Sequence, residues 1–212
     1  MVKILVIDSQ AQIALSLDAL VKLEPKFLKV RELVGTPKLR NRTDGFLALF
    51  KIIVSQQLST ASAEAIWTRL QTHGVSSPSE LLRKDDAHLR SLGLSQTKIS
   101  YCKGLAESRI DYSTLAKCSD TEILTILTNI RGIGEWTAQI YCMFCLGRAD
   151  LFACGDLALQ EAIRDLYKLP QRPSIKETAL ISKEWSPYRT VAALILWNYY
   201  NKIRNRQEGR KR

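Results

Sequence analysis

Apolar residues recur at helical spacing along most of the chain. In segment 45–57 they stand at positions i, i+3, i+4 and i+7, on one face of a helix: Phe46, Leu49, Phe50 and Ile53. The same spacing predicts further helices at 59–71, 79–82, 85–92, 95–110, 121–130, 137–146, 157–167, 175–183 and 188–203. Ser59 or Thr60, Ser95 and Asp120 stand where N-caps are expected. The pattern therefore predicts an all-α chain.

The two ends of the chain differ from this pattern. Segment 3–8, "KILVID", is typical of a buried strand that ends in Asp, as at the start of a nucleotide-binding α/β fold. Such a fold needs several alternating strands, and the rest of the chain predicts none. The segment is therefore expected to be a lone edge segment or part of the first helical region. The tail 204–212 carries five basic residues and is expected to be frayed and solvated.

Composition and net charge indicate a class of binding partner and a cellular compartment. The chain has 212 residues and a net charge of +10. This positive charge favours a polyanionic binding partner, most simply nucleic acid. It contains no apolar run long enough to span a membrane and no cleavage pattern of a signal peptide. Five cysteines without disulfide-like spacing suit a reducing compartment, cytoplasmic or nuclear. A soluble basic protein without such a partner is the alternative interpretation.

Cys142 and Cys145 form a C-x-x-C pair. A zinc or iron–sulfur site needs about four ligands, and both His73 and His88 lie far away in sequence. We therefore expect buried helix cysteines, with no zinc and no iron–sulfur cluster.

Segment 129–139, "NIRGIGEWTAQ", interrupts two helical stretches. Gly132 and Gly134 permit positive φ and close approach of a backbone. The following helix starts with N–H groups that lack intrahelical partners, so the turn can bind an anion. In a basic chain that anion is a DNA phosphate, held without reading sequence. The alternative is an ordinary turn with glycine caps.

This segment resembles the helix-hairpin-helix of the DNA glycosylase superfamily, and "LFACGDLALQEAIRDLY" (151–167) resembles the loop and aspartate that follow it. The blocks 44–67 and 89–107 and the segment 184–197 agree, and the resemblance is greatest to the DNA-3-methyladenine glycosylase II group, here without its extra N-terminal domain. The resemblance implies two helical lobes with an active-site cleft between them. We assign 1–44 plus 170–212 to a terminal lobe and 45–169 to a central lobe.

The resemblance implies a catalytic role for Asp156, which by itself is better explained as a helix N-cap, and the two roles can coexist. A carboxylate near C1′ stabilises an oxocarbenium-like sugar and can orient a water. Trp136 stands where strand-cutting relatives carry a nucleophilic Lys, so we expect a monofunctional hydrolase. The base pocket is then formed by Trp136, Ile140 and Trp197, with cation–π attraction to an alkylated base. A core role is the alternative for Trp136.

DNA contacts are implied for Gln56, Gln57, Gly132, Ile133, Gly134 and Thr137. Gln57 matches the residue that fills the gap left by a flipped base. By resemblance alone, the main-chain carbonyls of Thr128, Ile130 and Ile133 match a site where family hairpins often bind Na⁺ or K⁺. No cofactor is expected to be required.

The leading hypothesis is a monomeric DNA glycosylase that hydrolyses the N-glycosidic bond of alkylated purines, such as 3-methyladenine and 7-methylguanine, in duplex DNA during base excision repair. A non-catalytic DNA-binding module, a glycosylase/lyase and a nucleotide-binding fold are the alternatives. Asp156 argues against the first of these, since a pure binder has no need of a carboxylate that repels phosphate, and Trp136 argues against the second.

Overall fold

The chain folds into helices throughout the part that the structure describes. The computed structural model describes residues 5–40 and 44–209, and within these ranges thirteen α-helices and a single isolated β-bridge are present. The contacts group the chain into two compact units, one formed by Met1–Asn41 and Gly147–Arg212 and the other by Arg42–Leu146. The prediction of an all-α protein is confirmed.

The terminal unit is built around its last helix. Its helices are α1 (Gln10–Leu23), α2 (Lys26–Val34), α11 (Leu157–Tyr167), α12 (Ile175–Lys183) and α13 (Arg189–Gly209). Helix α13 packs against α1, α2 and α11. The six consecutive residues 191–196 are all buried apolar side chains. A helical stretch that is apolar on every side must be surrounded, which explains why this part of α13 lies at the centre of the unit.

The central unit is organised around α3. Its helices are α3 (Phe46–Ser55), α4 (Thr60–Thr72), α5 (Pro78–Arg83), α6 (Asp86–Ser91), α7 (Gln96–Glu107), α8 (Tyr112–Leu115), α9 (Asp120–Thr128) and α10 (Glu135–Phe144). Helix α3 packs against α4, α7 and α10, and the predicted face of Phe46, Leu49, Phe50 and Ile53 is buried. Ala48, Ile52 and Val54 are buried too, because three neighbours cover more than one face.

Serine hydroxyls begin many of these helices. Ser59 and Ser95 accept hydrogen bonds from the N–H groups of Ser62 and Lys98, as their sequence context predicts. The prediction of Asp120 as a cap is wrong, since Ser119 takes this position and Asp120 is the first residue of α9. Ser119 and Glu122 form a reciprocal capping box, whose S-x-x-E spacing determines where the helix begins.

The N-terminal segment pairs with one short stretch of backbone. Val6 forms an antiparallel bridge with Arg148, the Ile7 N–H donates to the Gly147 carbonyl at 2.7 Å, and the Ala149 N–H donates to the Leu5 carbonyl at 3.0 Å. This agrees with the expected lone edge segment. Lys3 and Ile4 lie outside the described residues. Helix α1 begins directly afterwards at a Ser9 cap.

The division into units differs from the one drawn from the sequence at its second boundary. Residues 147–169, assigned there to the central lobe, group with the two termini. The physical reason is α11, whose apolar face packs against α13 of the terminal unit.

The C-terminal stretch is more regular than its composition indicates. Helix α13 continues to Gly209, so the part of the tail that the structure describes is helical and not frayed. Within the described ranges no helix combines the length and the apolar content needed to cross a bilayer.

Candidate functional site

The predicted hairpin is present between α9 and α10. These two helices pack on each other, and the turn between them is closed by the Ile133 N–H, which donates to the Ile130 carbonyl at 3.0 Å. Ile133 itself is buried, whereas the next three residues, Gly134, Glu135 and Trp136, are exposed. The turn therefore presents a short exposed stretch of backbone at the start of α10.

The two glycines of the hairpin are required for different reasons. Gly132 has φ +92°, and a Cβ built on it would lie 2.1 Å from Cγ of the Tyr101 ring. Gly132 thus serves internal packing. Gly134 has φ −84° and ψ 172°, which any residue adopts, and no described atom lies within 4 Å of a Cβ built on it. Of the two properties that glycine permits, Gly132 uses the positive φ, whereas the small size of Gly134 leaves its outer side open.

The first turn of α10 can receive an anion. Its N-cap is Gly134, which has no side chain that could cap the first N–H groups, in contrast to the serine-capped helices α4 and α7. The positive end of the helix favours an anion there. Glu135 in the same turn opposes this, and its carboxylate is held by the Gln139 amide, which donates to it at 3.0 Å.

The other predicted hairpin residues lie at different depths. Trp136 is 38% exposed, so its indole is accessible and does not serve as a core side chain. Ile140 and Thr137 are buried. Ile140 therefore packs within the helical core in this structure. A DNA contact by Thr137 or Ile133 would have to come from the backbone, since their side chains are covered.

The loop between α3 and α4, residues 56–59, carries the two predicted glutamines. We call it the wedge loop. The Gln56 amide donates to the Gly132 carbonyl at 3.2 Å and to the Thr137 hydroxyl at 3.1 Å. Gln57 is exposed and has φ +57°, a left-handed conformation that is uncommon outside glycine. The two neighbours thus differ, since Gln56 contacts the hairpin and Gln57 faces solvent.

Asp156 is the N-cap of α11. Its Oδ1 accepts two hydrogen bonds at 3.1 Å, one from the Leu159 N–H and one from the indole Nε1–H of Trp197. The residue is half-buried. The N-cap interpretation is therefore correct, and the Trp197 contact goes beyond it. Two donors on one oxygen fix the orientation of the carboxylate, and the positive end of α11 stabilises its charge.

Trp197 is placed by α13 and is contacted from a second direction. The guanidinium carbon of Arg40 lies 5.9 Å from the centroid of its indole ring, within the range of a cation–π interaction. The sequence indicated Trp197 as an aromatic pocket residue, and the structure adds its hydrogen bond to Asp156. Spacing could not reveal this pair, since the two residues are 41 positions apart.

The loop that leads to Asp156 is held by residues that the sequence reasoning missed. The buried Thr190 hydroxyl donates to the Arg148 carbonyl at 2.7 Å and accepts from the Leu151 N–H at 3.3 Å. Gln160, also buried, donates its amide to the Cys154 carbonyl at 2.8 Å. A buried polar residue inside an apolar helix, such as Thr190 before 191–196, is the signal that could have indicated this role.

An ion pair between Arg189 and Asp150 also holds the loop that leads to Asp156. Arg189 donates to both carboxylate oxygens of Asp150, at 2.7 and 3.1 Å, and Ser186 donates to it at 2.7 Å. Burial raises the pKa of Asp150, but the hydrogen bonds from Arg189 and Ser186 outweigh it and the pKa is lowered. Asp150 is thus held as a carboxylate at the base of the Asp156 loop.

The cysteine pair occupies the end of α10. Cys142 is buried within the helix, as expected, whereas Cys145 is its half-buried C-cap. In the described part of the chain, no three side chains of His, Cys, Asp or Glu form a group that could hold a metal ion. The two histidines, His73 and His88, contact each other, with ring centroids 5.8 Å apart in an edge arrangement.

Comparisons with known proteins indicate the family. Residues 50–187 match the model of the HhH-GPD superfamily of base excision DNA repair proteins. The Bacillus subtilis protein YfjP is 34% identical over 179 residues, which cover 78% of this chain and 62% of that protein. The crystal structure of a DNA-3-methyladenine glycosidase from Bacillus halodurans superposes with a TM-score of 0.79 at 32% identity, covering 90% of this chain and 91% of that one.

A third similar protein has been solved as a complex with DNA. A 3-methyladenine DNA glycosylase from Schizosaccharomyces pombe, solved in complex with abasic DNA, superposes with a TM-score of 0.77 at 29% identity, over 86% of this chain and 94% of that one. The superfamily model covers more than half of the chain and includes both the hairpin and Asp156. The chain therefore belongs to the HhH-GPD superfamily of base excision DNA repair proteins.

Proposed function

We propose that this protein is a monofunctional DNA glycosylase that hydrolyses the N-glycosidic bond of alkylated purines in duplex DNA. Family membership and relatives named as 3-methyladenine DNA glycosylases support an enzyme of this class. The observation that carries the proposal is the Asp156 carboxylate, whose Oδ1 accepts hydrogen bonds from Leu159 and Trp197. Its fixed orientation suits electrostatic catalysis, because a preorganised charge costs no reorganisation during the reaction.

Asp156 acts on the sugar. Departure of the base leaves positive charge on C1′ and the ring oxygen, and a carboxylate nearby stabilises that charge. The same group orients or deprotonates the attacking water. An N-alkylated purine already carries positive charge, so it leaves with little need for acid catalysis. 3-Methyladenine and 7-methylguanine are therefore the proposed substrates.

The hairpin holds the DNA and Trp136 contacts the base. The open side of Gly134 allows the first N–H groups of α10 to approach a backbone phosphate. The exposed Trp136 indole presents a π face to an electron-poor base after flipping. Because Trp136 is not an amine, water serves as the nucleophile and the DNA strand stays intact.

The wedge loop fills the gap that the flipped base leaves. Gln57 is exposed on this loop, and its left-handed backbone fixes the direction of its side chain. A Na⁺ or K⁺ ion would be held by the carbonyls of Thr128, Ile130 and Ile133. The Ile130 carbonyl already accepts one hydrogen bond, from Ile133, and has one lone pair left for the ion. Such an ion would add positive charge next to the phosphate.

The test is a base-release assay on methylated duplex DNA with Asp156→Asn. Asn is as good an N-cap as Asp and its oxygen can accept the same two hydrogen bonds, so the fold is retained. We expect a loss of about 10²–10⁴ in rate and DNA binding at least as tight, since one negative charge is removed.

Asp85→Asn is the matched control, because Asp85 is also an N-cap Asp and caps α6 through the His88 N–H. This variant should keep the wild-type rate. Wild-type turnover by Asp156→Asn would remove Asp156 from the mechanism. A wild-type protein that binds DNA but releases no base would indicate a non-catalytic DNA-binding module.

A further inference from the structure

Gln56 lies beside the residue proposed to fill the DNA gap, yet its own side chain is directed at the hairpin. Its amide donates to the Gly132 carbonyl at 3.2 Å and to the Thr137 hydroxyl at 3.1 Å. The Gly132 carbonyl is only an acceptor, so the NH₂ end of Gln56 must face it. One side-chain nitrogen thus joins the wedge loop to both sides of the hairpin turn, 76 and 81 residues further along the chain.

The wedge loop is also held at its start. The Lys98 ammonium donates to the Val54 carbonyl at 2.6 Å, near the C-terminal end of α3. The Leu58 N–H donates to the Ser55 carbonyl at 3.3 Å across the loop. Between these contacts Gln57 stands in its left-handed conformation. The side chain of Gln56 then links this loop directly to the turn of the hairpin.

We infer that Gln56 is a positioning residue that couples phosphate binding at the hairpin to insertion of Gln57 into the base stack. This inference rests on the proposed function. When the hairpin binds a phosphate, the hydrogen bonds of Gln56 set the height of the wedge loop relative to that phosphate. Gln57 then enters the stack next to the target base. Gln56, which the sequence indicated as a DNA contact, acts through Gln57 instead.

The experiment is a double-mutant cycle between Gln56→Met and Gln57→Ala. Met has a similar length but no donor, so it removes both hydrogen bonds and keeps most of the volume. Base flipping is followed by the fluorescence of 2-aminopurine opposite an abasic-site analogue, and excision by release of 3-methyladenine. Each single variant should lose about tenfold in both, because two neutral hydrogen bonds or the wedge itself are removed.

The double variant should be no worse than Gln57→Ala alone, since no wedge remains to be positioned. Losses that multiply would show that Gln56 contacts DNA or base independently, and would overturn the inference. Gln71→Met is the matched control, because the Gln71 amide also donates to a backbone carbonyl, that of Val75 at 2.8 Å, outside the loop and the hairpin. It should keep wild-type flipping.

A readout on the protein alone separates this inference from the proposed function. Hydrogen exchange of the hairpin amides 130–134 should accelerate about tenfold in Gln56→Met and less in Thr137→Val, which removes only one of the two acceptors. Unchanged exchange at the hairpin would overturn the coupling whatever the enzyme's activity. A wild-type protein that neither flips nor excises would refute the proposed function, while faster exchange would still confirm the link between loop and hairpin.

Discussion

The hairpin glycines Gly132 and Gly134, two residues apart, give a paired test of the proposed phosphate site. At Gly132 an added Cβ meets the Tyr101 ring at 2.1 Å and the backbone has φ +92°. At Gly134 the backbone is ordinary and the described surroundings are open. The same substitution to Ala should therefore affect folding at the first position and DNA binding at the second.

The magnitudes follow from these environments. Gly132→Ala combines left-handed strain, about 1–2 kcal/mol, with overpacking, about 1–3 kcal/mol, so a loss of about 2–5 kcal/mol in the free energy of unfolding is expected. For Gly134→Ala, a weaker N-cap and a less flexible unfolded chain nearly cancel, which leaves a change within about 0.5 kcal/mol. If a phosphate approaches Gly134, the methyl group costs one charge-assisted hydrogen bond, about 1.5–3 kcal/mol. That is about tenfold to hundredfold in Kd.

The assay combines thermal unfolding with fluorescence anisotropy on two undamaged duplexes of unrelated sequence. Gly134→Ala should keep the wild-type Tm and bind both duplexes equally weakly, and Gly134→Val should bind still more weakly. Equal losses on both duplexes are expected because phosphate contacts carry no sequence information. Wild-type affinity of a well-folded Gly134→Val would refute the phosphate site, and a loss on one duplex only would indicate base contacts instead.

Three further predictions concern Asp156, Trp136 and the ion pair. Trp197→Phe keeps an aromatic ring, though a smaller one, and removes the indole donor to Asp156, so kcat should fall about tenfold or more with little change in KM or Tm. An unchanged kcat would show that this bond does not orient the carboxylate. Borohydride should trap no covalent protein–DNA adduct, because Trp136 supplies no amine, and a trapped adduct would contradict a water nucleophile. Asp150→Asn should lower the free energy of unfolding by about 1 kcal/mol at pH 7. Since the pKa of Asp150 is lowered in the folded protein, the difference in stability between the wild type and Asp150→Asn is present above about pH 4 and disappears as the pH falls. A stability difference that grows in acid would refute this role of Asp150.

Much of the fold was predictable because the start, end and buried face of a helix depend mainly on residues that are close in sequence. The bounds of α11 and α12 agree with the prediction, since an N-cap Asp or Ser begins each and apolar residues at helical spacing follow. The prediction of Asp120 as the N-cap of α9 was wrong because Ser119 and Asp120 are both residues that can cap a helix. The capping box with Glu122 favours Ser119. The lobe boundary at 169 could not be found from local pattern, since it depends on α11 packing against α13.

The sequence by itself determined the helical architecture and the glycine-containing turn between α9 and α10, because spacing, caps and glycines are properties of neighbouring residues. The candidacy of Asp156 came from the resemblance to a family. Tertiary structure decided which side chains meet. It placed the Trp197 indole on Asp156, directed Gln56 to the hairpin and packed Gly132 against Tyr101 while leaving Gly134 open. These contacts join residues tens of positions apart, and no local pattern specifies them because they depend on how the helices pack.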